Sequence, residues 1–363
     1  YFCENCLLLQ VKDSVSHKIL FKNYKYSSST IPSLNKHFKD YSNKIKNKFL
    51  KQKSVRLLEF GANDGVLLSN FKKDKNFFCL GVDPAKNIAK LGKIKNLNYF
   101  VGLFNENNAL KIKKKFGKFD YITGSNVFAH IDDIHSVVEA SKILLKNDGN
   151  FVTEVHYLPN LINLNQYDFI YHEHHSAFSI KPIEYLCKKH NLKLVHAEQT
   201  NSKGGSLRYY LCRKNFNYKK SGSISSLKKR EINEKIYNKL TYTKYFKYIS
   251  SQNSKLLSFL KKNSDKKIYG FGASITCITL IYQFRLERKI IFLYDDNKIK
   301  QGMLSPKDKI LVKNFSINDI KKNSIILILA WRYQKSILKR HFKTFKKFNS
   351  VIQVMPKFKK IKI

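Results

Sequence analysis

The sequence has no apolar run approaching the roughly 20 residues that a membrane-spanning helix needs. No charged-then-apolar signal segment opens it either. Arginine is scarce, supplying only 8 of the 69 basic residues, and acidic residues number 26, so the formal net charge is +43. That charge raises nucleic acid as a partner. Arginine, however, is the residue that makes bidentate phosphate and base contacts. The lysines are spread over the chain in clusters such as Lys113-Lys114-Lys115 and Lys359-Lys360, next to no obvious motif. With abundant asparagine and isoleucine, they read as the drift of an AT-rich genome and as solvated faces. Nucleic acid is therefore not the expected partner. Cysteine is limited to six residues with no disulfide framework, so a reducing cytoplasm is the expected location. Hydrophobic residues, by contrast, make up 43% and aromatics 13%, which excludes a disordered chain. The length of 363 residues suggests two or three domains.

Cys79, Cys187, Cys212 and Cys277 stand alone in apolar surroundings and read as small core residues. Only Cys3-x-x-Cys6 has ligand spacing. A structural zinc takes four ligands. The chain opens on Tyr1 rather than Met, so the expectation is half of a zinc knuckle whose other C-x-x-C lies upstream. Incidental or redox cysteines are the alternative.

Four domains are expected. Residues 1–50 form an N-terminal lobe of short apolar pieces, a Ser-rich turn and a basic helix. Residues 51–215 alternate strands with helical segments: Val55–Phe60, Phe78–Val82, Tyr121–Gly124 and Phe151–Val155 as strands, Ile134–Leu145 as a helix. That alternation means βαβ units and a mostly parallel, doubly wound α/β sheet. Residues 216–262 read as a polar helical connector. In residues 263–363 the βα alternation resumes at Lys267–Tyr269, Ile290–Tyr294, Ile325–Ala330 and Val351–Val354.

The first candidate site is the loop Glu59-Phe60-Gly61-Ala62-Asn63-Asp64-Gly65 after the first of these strands. Ligands of open α/β sheets bind outside the C-terminal strand ends, and a Gly-rich turn there lets backbone approach them. Asp83, twenty-two residues after Gly61, ends the next strand and can accept both ribose hydroxyls of an adenosine. A dinucleotide site wants G-x-G-x-x-G, whose middle Gly admits a pyrophosphate; here that position is Asn63. S-adenosylmethionine fits better, because its ammonium and carboxylate want carboxylate and amide partners. The pattern resembles motif I of class I methyltransferases.

The second site is Tyr171-His172-Glu173-His174-His175. A zinc helix motif needs histidines four apart; His172 and His174 are two apart, which on an extended strand would share a face. Acid/base chemistry is the favoured reading, since histidine titrates near neutrality and a carboxylate can orient it.

Together with these motifs, the chain resembles the sugar C-methyltransferases that act on nucleoside-diphosphate-activated keto-deoxysugars. The resemblance runs through Cys3-x-x-Cys6-Leu7-Leu8-Leu9-Gln10, Phe21 to Ser27, Glu59 to Leu68, Gly81-Val82-Asp83-Pro84 and Asn126 to Asp133. It continues through Ile170 to His174, Gly204-Gly205-Ser206-Leu207-Arg208, Tyr269 to Ala273 and Leu329-Ala330-Trp331. Departures are Lys203 where histidine is usual, His156 where proline is common, and Ser274-Ile275 within the C-terminal motif.

The resemblance implies a zinc-binding N-terminal lobe, a central class I methyltransferase domain and a C-terminal Rossmann-like domain. It implies S-adenosylmethionine as cofactor, bound by Glu59, Gly61, Asn63, Asp64, Gly65, Asp83, Pro84 and Asn126, and structural Zn2+ on Cys3 and Cys6. The implied substrate is a keto-deoxysugar nucleotide, used for a surface polysaccharide or secondary metabolite. A C–C bond needs a carbon nucleophile, which a base creates next to a ketone. His174 is the expected base and His130 the second candidate; Glu173 orients an imidazole and Tyr171 donates to the enolate oxygen. Tyr24 and Tyr26 close over the sugar. Lys203, Gly205, Ser206 and Arg208 either hold the diphosphate or form a turn before the strand Leu207–Leu211. Two alternatives stand beside this reading: an NAD(P)-dependent sugar-nucleotide oxidoreductase using Gly270-x-Gly272 with Asp295-Asp296, and a basic nucleic-acid-binding protein. Nothing fixes the oligomeric state; a monomer is the simpler expectation.

Overall fold

A computed structural model describes residues 1–363 except 13–14, 23, 25, 219–220, 317–322 and 349. The chain divides into two compact units, Tyr1–Pro159 with His172–Tyr237, and Asn160–Tyr171 with Asn238–Ile363.

The strands of the first unit are β1 (Leu9–Gln10), β2 (Val55–Phe60), β3 (Phe77–Asp83), β4 (Asn98–Val101), β5 (Phe119–Ser125), β6 (Leu145–His156), β7 (Ser176–Ala177), β8 (Leu192–Thr200) and β9 (Ser206–Arg213). Seven of them form one sheet in the order β4-β3-β2-β5-β6-β9-β8. All neighbours are parallel except β9, which runs antiparallel to both β6 and β8. The period of two along β2 explains its burial on both faces. Leu58 and Phe60 join one apolar core while Val55 and Leu57 join the other.

The helices are α1 (His17–Leu20), α2 (Pro32–Lys48), α3 (Lys86–Ile94), α4 (Glu106–Phe116), α5 (Ile134–Leu144), α6 (Leu158–Asn163), α7 (Ile180–Lys189) and α8 (Gly222–Asn233). In α2 a proline at the start and buried Leu34, Phe38, Tyr41 and Ile45 define one apolar stripe at helical spacing. That stripe packs with Leu57 and Tyr121 on one face of the sheet.

The strands expected in this unit lie inside observed ones, and β2 holds the residues assigned to it. β6 is longer than Phe151–Val155 because an exposed Lys-Asn-Asp stretch precedes its buried half. β4 and β8 were not anticipated. β4 is four residues of edge strand with exposed ends, and β8 alternates apolar with polar residues.

Cys3 and Cys6 are free thiols in a turn closed by Leu7 N–H to Cys3 C=O at 2.8 Å. Among the described residues no group of three or more His, Cys, Asp or Glu is placed to hold a metal ion. The turn thus offers two of the four ligands that a structural zinc takes, as expected of half a knuckle, and the described residues do not complete the site.

The expected connector 216–262 holds two helices that fall to different units. Helix α8 is tied to the first by fully buried Glu231, which accepts from the Tyr157 hydroxyl at 2.7 Å, the Ile180 N–H at 2.9 Å and the Tyr237 hydroxyl. Helix α9 (Lys239–Lys261) belongs to the second.

The second unit carries β10 (Lys267–Phe271), β11 (Ile290–Tyr294), β12 (Leu311–Lys313), β13 (Ser324–Ile328), β14 (Ser350–Gln353) and β15 (Lys359–Ile361), with helices α10 (Ile275–Gln283), α11 (Gln334–Arg340) and α12 (Phe342–Phe345). Its sheet runs β12-β11-β10-β13-β14-β15, parallel except for edge strand β15. The excursion Asn160–Tyr171 joins this unit through Asp168, which takes both Arg332 nitrogens at 2.9 and 2.7 Å and the Trp331 indole at 3.3 Å. Among the described residues no helix is long and apolar enough to cross a membrane.

Candidate active site

The loop after β2 is shaped by left-handed backbone. Gly61 has φ +62°, and a Cβ there would come within 2.6 Å of Val127. Asn63 and Gly65 also have positive φ. The loop is fixed to the end of β3 by Asp83, whose two oxygens accept the Asn63 N–H at 2.8 Å and the Ala85 N–H at 2.9 Å, with Pro84 between strand and helix. Each oxygen keeps a further lone pair for a hydroxyl. Asp64 turns the other way: one oxygen accepts from Ser27 at 2.7 Å and from the Ser29 hydroxyl, with the Lys95 ammonium at 3.4 Å. This carboxylate latches the Ser-rich turn onto the loop. Burial would raise its pKa, but the two serines and Lys95 outweigh that and hold it low.

The residues fit a cationic adenosine ligand. Glu59 is buried, and its Oε2 has no hydrogen-bond partner; nor does Asp64 Oδ1. Burial, with Asp83 and Asp64 nearby, pushes the Glu59 carboxyl well above the usual carboxylate range. A carboxyl group in this state is matched by an ammonium group of the ligand. Glu59→Gln is expected to weaken S-adenosylhomocysteine binding by at least about tenfold, since a hydrogen bond to a charged group is worth about 1.5–3 kcal/mol. Affinity for methylthioadenosine, which lacks the amino-acid end, should hold. Titration calorimetry with both ligands checks this; equal loss for both would place Glu59 elsewhere. Stability carries a second signature. Above pH 4.5 the unfolded chain loses this proton and the folded chain keeps it, so wild-type stability falls as pH rises. The slope is up to about 1.4 kcal/mol per pH unit. Urea midpoints at pH 5 and 7 should show Glu59→Gln gaining on wild type as pH rises.

Around the strand ends lies a second cluster. His130 follows β5 and His156 ends β6. The His174 ring lies 4.8 Å from that of His130 and 4.9 Å from that of His156, centroid to centroid. Glu173 is 3.9 Å from both His130 Nδ1 and His172 Nε2, too long for hydrogen bonds. Burial raises the Glu173 carboxyl. Residues 171–173 make a turn rather than an extended strand, so His172 and His174 do not alternate along one face as a strand would place them. The next residue is stitched from both sides: His175 N–H donates to Ala129 C=O at 2.7 Å, and Val11 N–H to His175 C=O at 3.0 Å. Tyr24 lies within electrostatic reach of both clusters. Its hydroxyl is pushed upward by burial and by the charges of Glu173, Tyr26 and Asp83. Tyr26 accepts from Lys203 Nζ at 2.8 Å.

Of the other expected residues, Asn126 has φ +56° and its N–H donates to Glu154 C=O at 2.7 Å. Its side chain reaches Ser202 Oγ at 3.4 Å. Gly205 has φ +107°. Buried Ser206 donates to Ser202 C=O at 3.0 Å, which closes a turn before β9. Tyr171 is grouped with the second unit. Arg208 is corrected. It is 2% exposed and lies in β9 opposite Glu154 of β6 and Glu198 of β8, pairing with both. It has no open face for a diphosphate. His156 was missed as a site residue: a lone histidine closing an apolar strand carries no local signal.

Burial, together with His156, Lys203 and His175, pushes His130 down to about 3, and burial alone pushes His156 down to about 4. Both are neutral at pH 7, which makes His130 a weak base. As pH falls below 6.5 the unfolded chain binds these protons and the folded chain does not, so stability falls with pH. Each histidine contributes up to about 1.4 kcal/mol per unit. Urea midpoints between pH 7 and 5 should drop less steeply in His156→Asn than in wild type.

A sheet of this order, with its antiparallel next-to-last strand, a Gly-bearing loop after β2 and an acid ending β3, defines a class I S-adenosylmethionine-dependent methyltransferase. The family described as "Methyltransferase domain" matches residues 34–197, and "C-methyltransferase C-terminal domain" matches residues 201–356. The C-methyltransferase NovU of Streptomyces niveus is 26% identical over 339 residues, which is 93% of this chain and 80% of that protein. The two family matches together span residues 34–356 and mark the chain as an S-adenosylmethionine-dependent C-methyltransferase. Solved structures it is similar to include an S-adenosylmethionine-dependent methyltransferase from Clostridium acetobutylicum, at TM-score 0.38 and 16% identity, covering 48% of this chain and 92% of that one. Another is the PH0226 protein from Pyrococcus horikoshii, at TM-score 0.41 and 14% identity, covering 52% and 95%. The family matches favour methyl transfer over the oxidoreductase and nucleic-acid alternatives.

Proposed function

We propose that the protein methylates the carbon next to the ketone of a nucleoside-diphosphate-activated keto-deoxysugar. The observation that carries this reading is the tier of three imidazoles with Glu173, close to the ends of the strands that also carry the loop after β2 and Asp83. Oxygen or nitrogen acceptors bring their own nucleophilic lone pair; a carbon acceptor needs a base. S-adenosylmethionine, when bound, supplies an electrophilic methyl group on a sulfonium. His174 removes the proton from the carbon beside the carbonyl. Glu173 stabilises the imidazolium that results, and Tyr171, next to the turn in the chain, donates to the enolate oxygen. Asp83 holds the ribose, and Glu59 and Asp64 lend acceptors to the cationic end. Tyr24 and Tyr26 cover the sugar, and Lys203 neutralises phosphate charge. The sugar class rests on the string of family-like motifs from Cys3 to Trp331.

The test is mass spectrometry in D₂O with S-adenosylmethionine and a panel of nucleoside-diphosphate 4-keto-deoxysugars. A sugar gaining one methyl, with release of S-adenosylhomocysteine, is the expected result. Methylation of a non-ketone acceptor with no deuterium entering any keto-sugar would overturn the reading.

A further inference from the structure

We propose that His156 is a positioning residue for the candidate base: its ring is the floor on which the His174 ring rests, holding that ring against His130 and toward the substrate carbon. This rests on the proposed carbon-methylation reading, but its geometry stands by itself within the first unit. His156 is the last residue of β6, the strand between β5 and β9. Its backbone is fixed, because it pairs with Ser206 of β9, and the next N–H, that of Tyr157, donates to Gly205 C=O at 3.3 Å. The ring is 5% exposed. A side chain so enclosed at a strand end has little rotational freedom.

His174 has the opposite setting. It lies in an irregular stretch between a turn and two-residue strand β7, and such backbone fixes a side chain less well than a sheet does. At His175 the backbone of this stretch is tied to Ala129 and Val11. Two rings contact that of His174: His130 at 69° and 4.8 Å, and His156 at 40° and 4.9 Å. Edge-to-face and tilted contacts of this kind are worth about 0.5–1.5 kcal/mol each. That is enough to select one rotamer among several.

The charges around the tier favour this role over proton relay. Facing it are His130 after β5, Glu173, His172 and His175 from the turn, and Lys203 from the loop before β9, with Tyr24 and Tyr26 beyond. Lys203 and the other imidazoles oppose a further proton on His130. The desolvated His156 likewise stays neutral at working pH. A neutral ring can pack against His174 before and after that residue takes a proton, with no second charge introduced.

The test uses the full chain and compares His156→Phe, which keeps a ring, with His156→Ala and His156→Asn, which do not. Two readouts are taken: keto-sugar deuterium exchange, and ring-proton NOEs between His130 and His174 in histidine-labelled protein without substrate. The expected result is that His156→Phe keeps the NOE and exchanges within about threefold of wild type, whereas Ala and Asn lose the NOE and at least about tenfold in kcat for exchange. KM and S-adenosylhomocysteine affinity should stay level. Retention of the NOE in His156→Ala overturns the proposal. So does loss of exchange in His156→Phe with the NOE intact, which would make the group a chemical participant. If wild type exchanges no keto-sugar, the functional reading falls while the NOE comparison still decides the role of His156.

Discussion

Arg208→Met is expected to cost about 3–5 kcal/mol of folding stability, because it leaves a buried carboxylate without its partner. Arg208 Nη2 lies 2.5 Å from Glu154 Oε2, and the Glu154 side chain is 1% exposed. His37 Nε2 approaches the other Glu154 oxygen at 2.8 Å. The guanidinium also pairs with Glu198 and stacks 3.6 Å from the Tyr41 ring centroid. Burial works to raise the Glu154 carboxyl, yet His37 and Arg208 together hold it below its ordinary value. Removing the arginine leaves His37 to hold the buried carboxylate against its desolvation, and Glu198 loses the same partner. The double variant Arg208→Met/Glu154→Gln should recover most of the loss, since replacing both buried charges is often neutral. Urea unfolding of the two variants measures the difference. Substrate KM in Arg208→Met, assayed well below its melting temperature, separates this role from diphosphate binding. A large rise in KM with stability unchanged would restore the substrate role.

The same residue shows where the sequence stops being legible. Gly204-Gly205-Ser206 announces a turn, and Arg208 two residues on looks like part of a phosphate loop. Its partners, however, are set by strand register: Glu154 lies 54 residues away on β6, and Glu198 lies across a hairpin. Neither is visible in a local window. The loop after β2 is the opposite case. Gly61, Asn63 and Asp83 lie within one stretch from the end of β2 to the end of β3, and the Asn63 N–H to Asp83 bond joins residues 20 apart. Chemistry carried by local geometry was readable; the latch from Ser27 and Ser29 to Asp64, which joins the N-terminal turn to that loop, was not. His156 was unreadable for another reason. Its importance comes from His174, which reaches it only through the fold. The edge strands β4 and β15 escaped because strands of three or four residues are too short to show a period.

The largest kinetic effect is expected for His174→Ala. Among the three imidazoles, His130 is held neutral down to about pH 3 by burial and neighbouring positive charge, and His156 down to about pH 4 by burial. A group so reluctant to accept a proton cannot carry general-base catalysis at neutral pH. His174 is the member of the tier that lies between them, next in the chain to Glu173. Loss of a general base typically costs about 10²–10⁴-fold in rate. Deuterium exchange and methyl transfer should fall together in His174→Ala, because both need the same proton removed. S-adenosylhomocysteine affinity should match wild type, since the Glu59, Asp64 and Asp83 acceptors are untouched. Glu173→Gln should lower both rates less, because the imidazole remains and loses only its countercharge. If exchange survives in His174→Ala while methylation is lost, the base is another residue and His174 serves the transfer step. If His130→Asn shows the deeper loss of exchange, the base belongs at the end of β5, and the low basicity of that imidazole must be relieved when substrate binds.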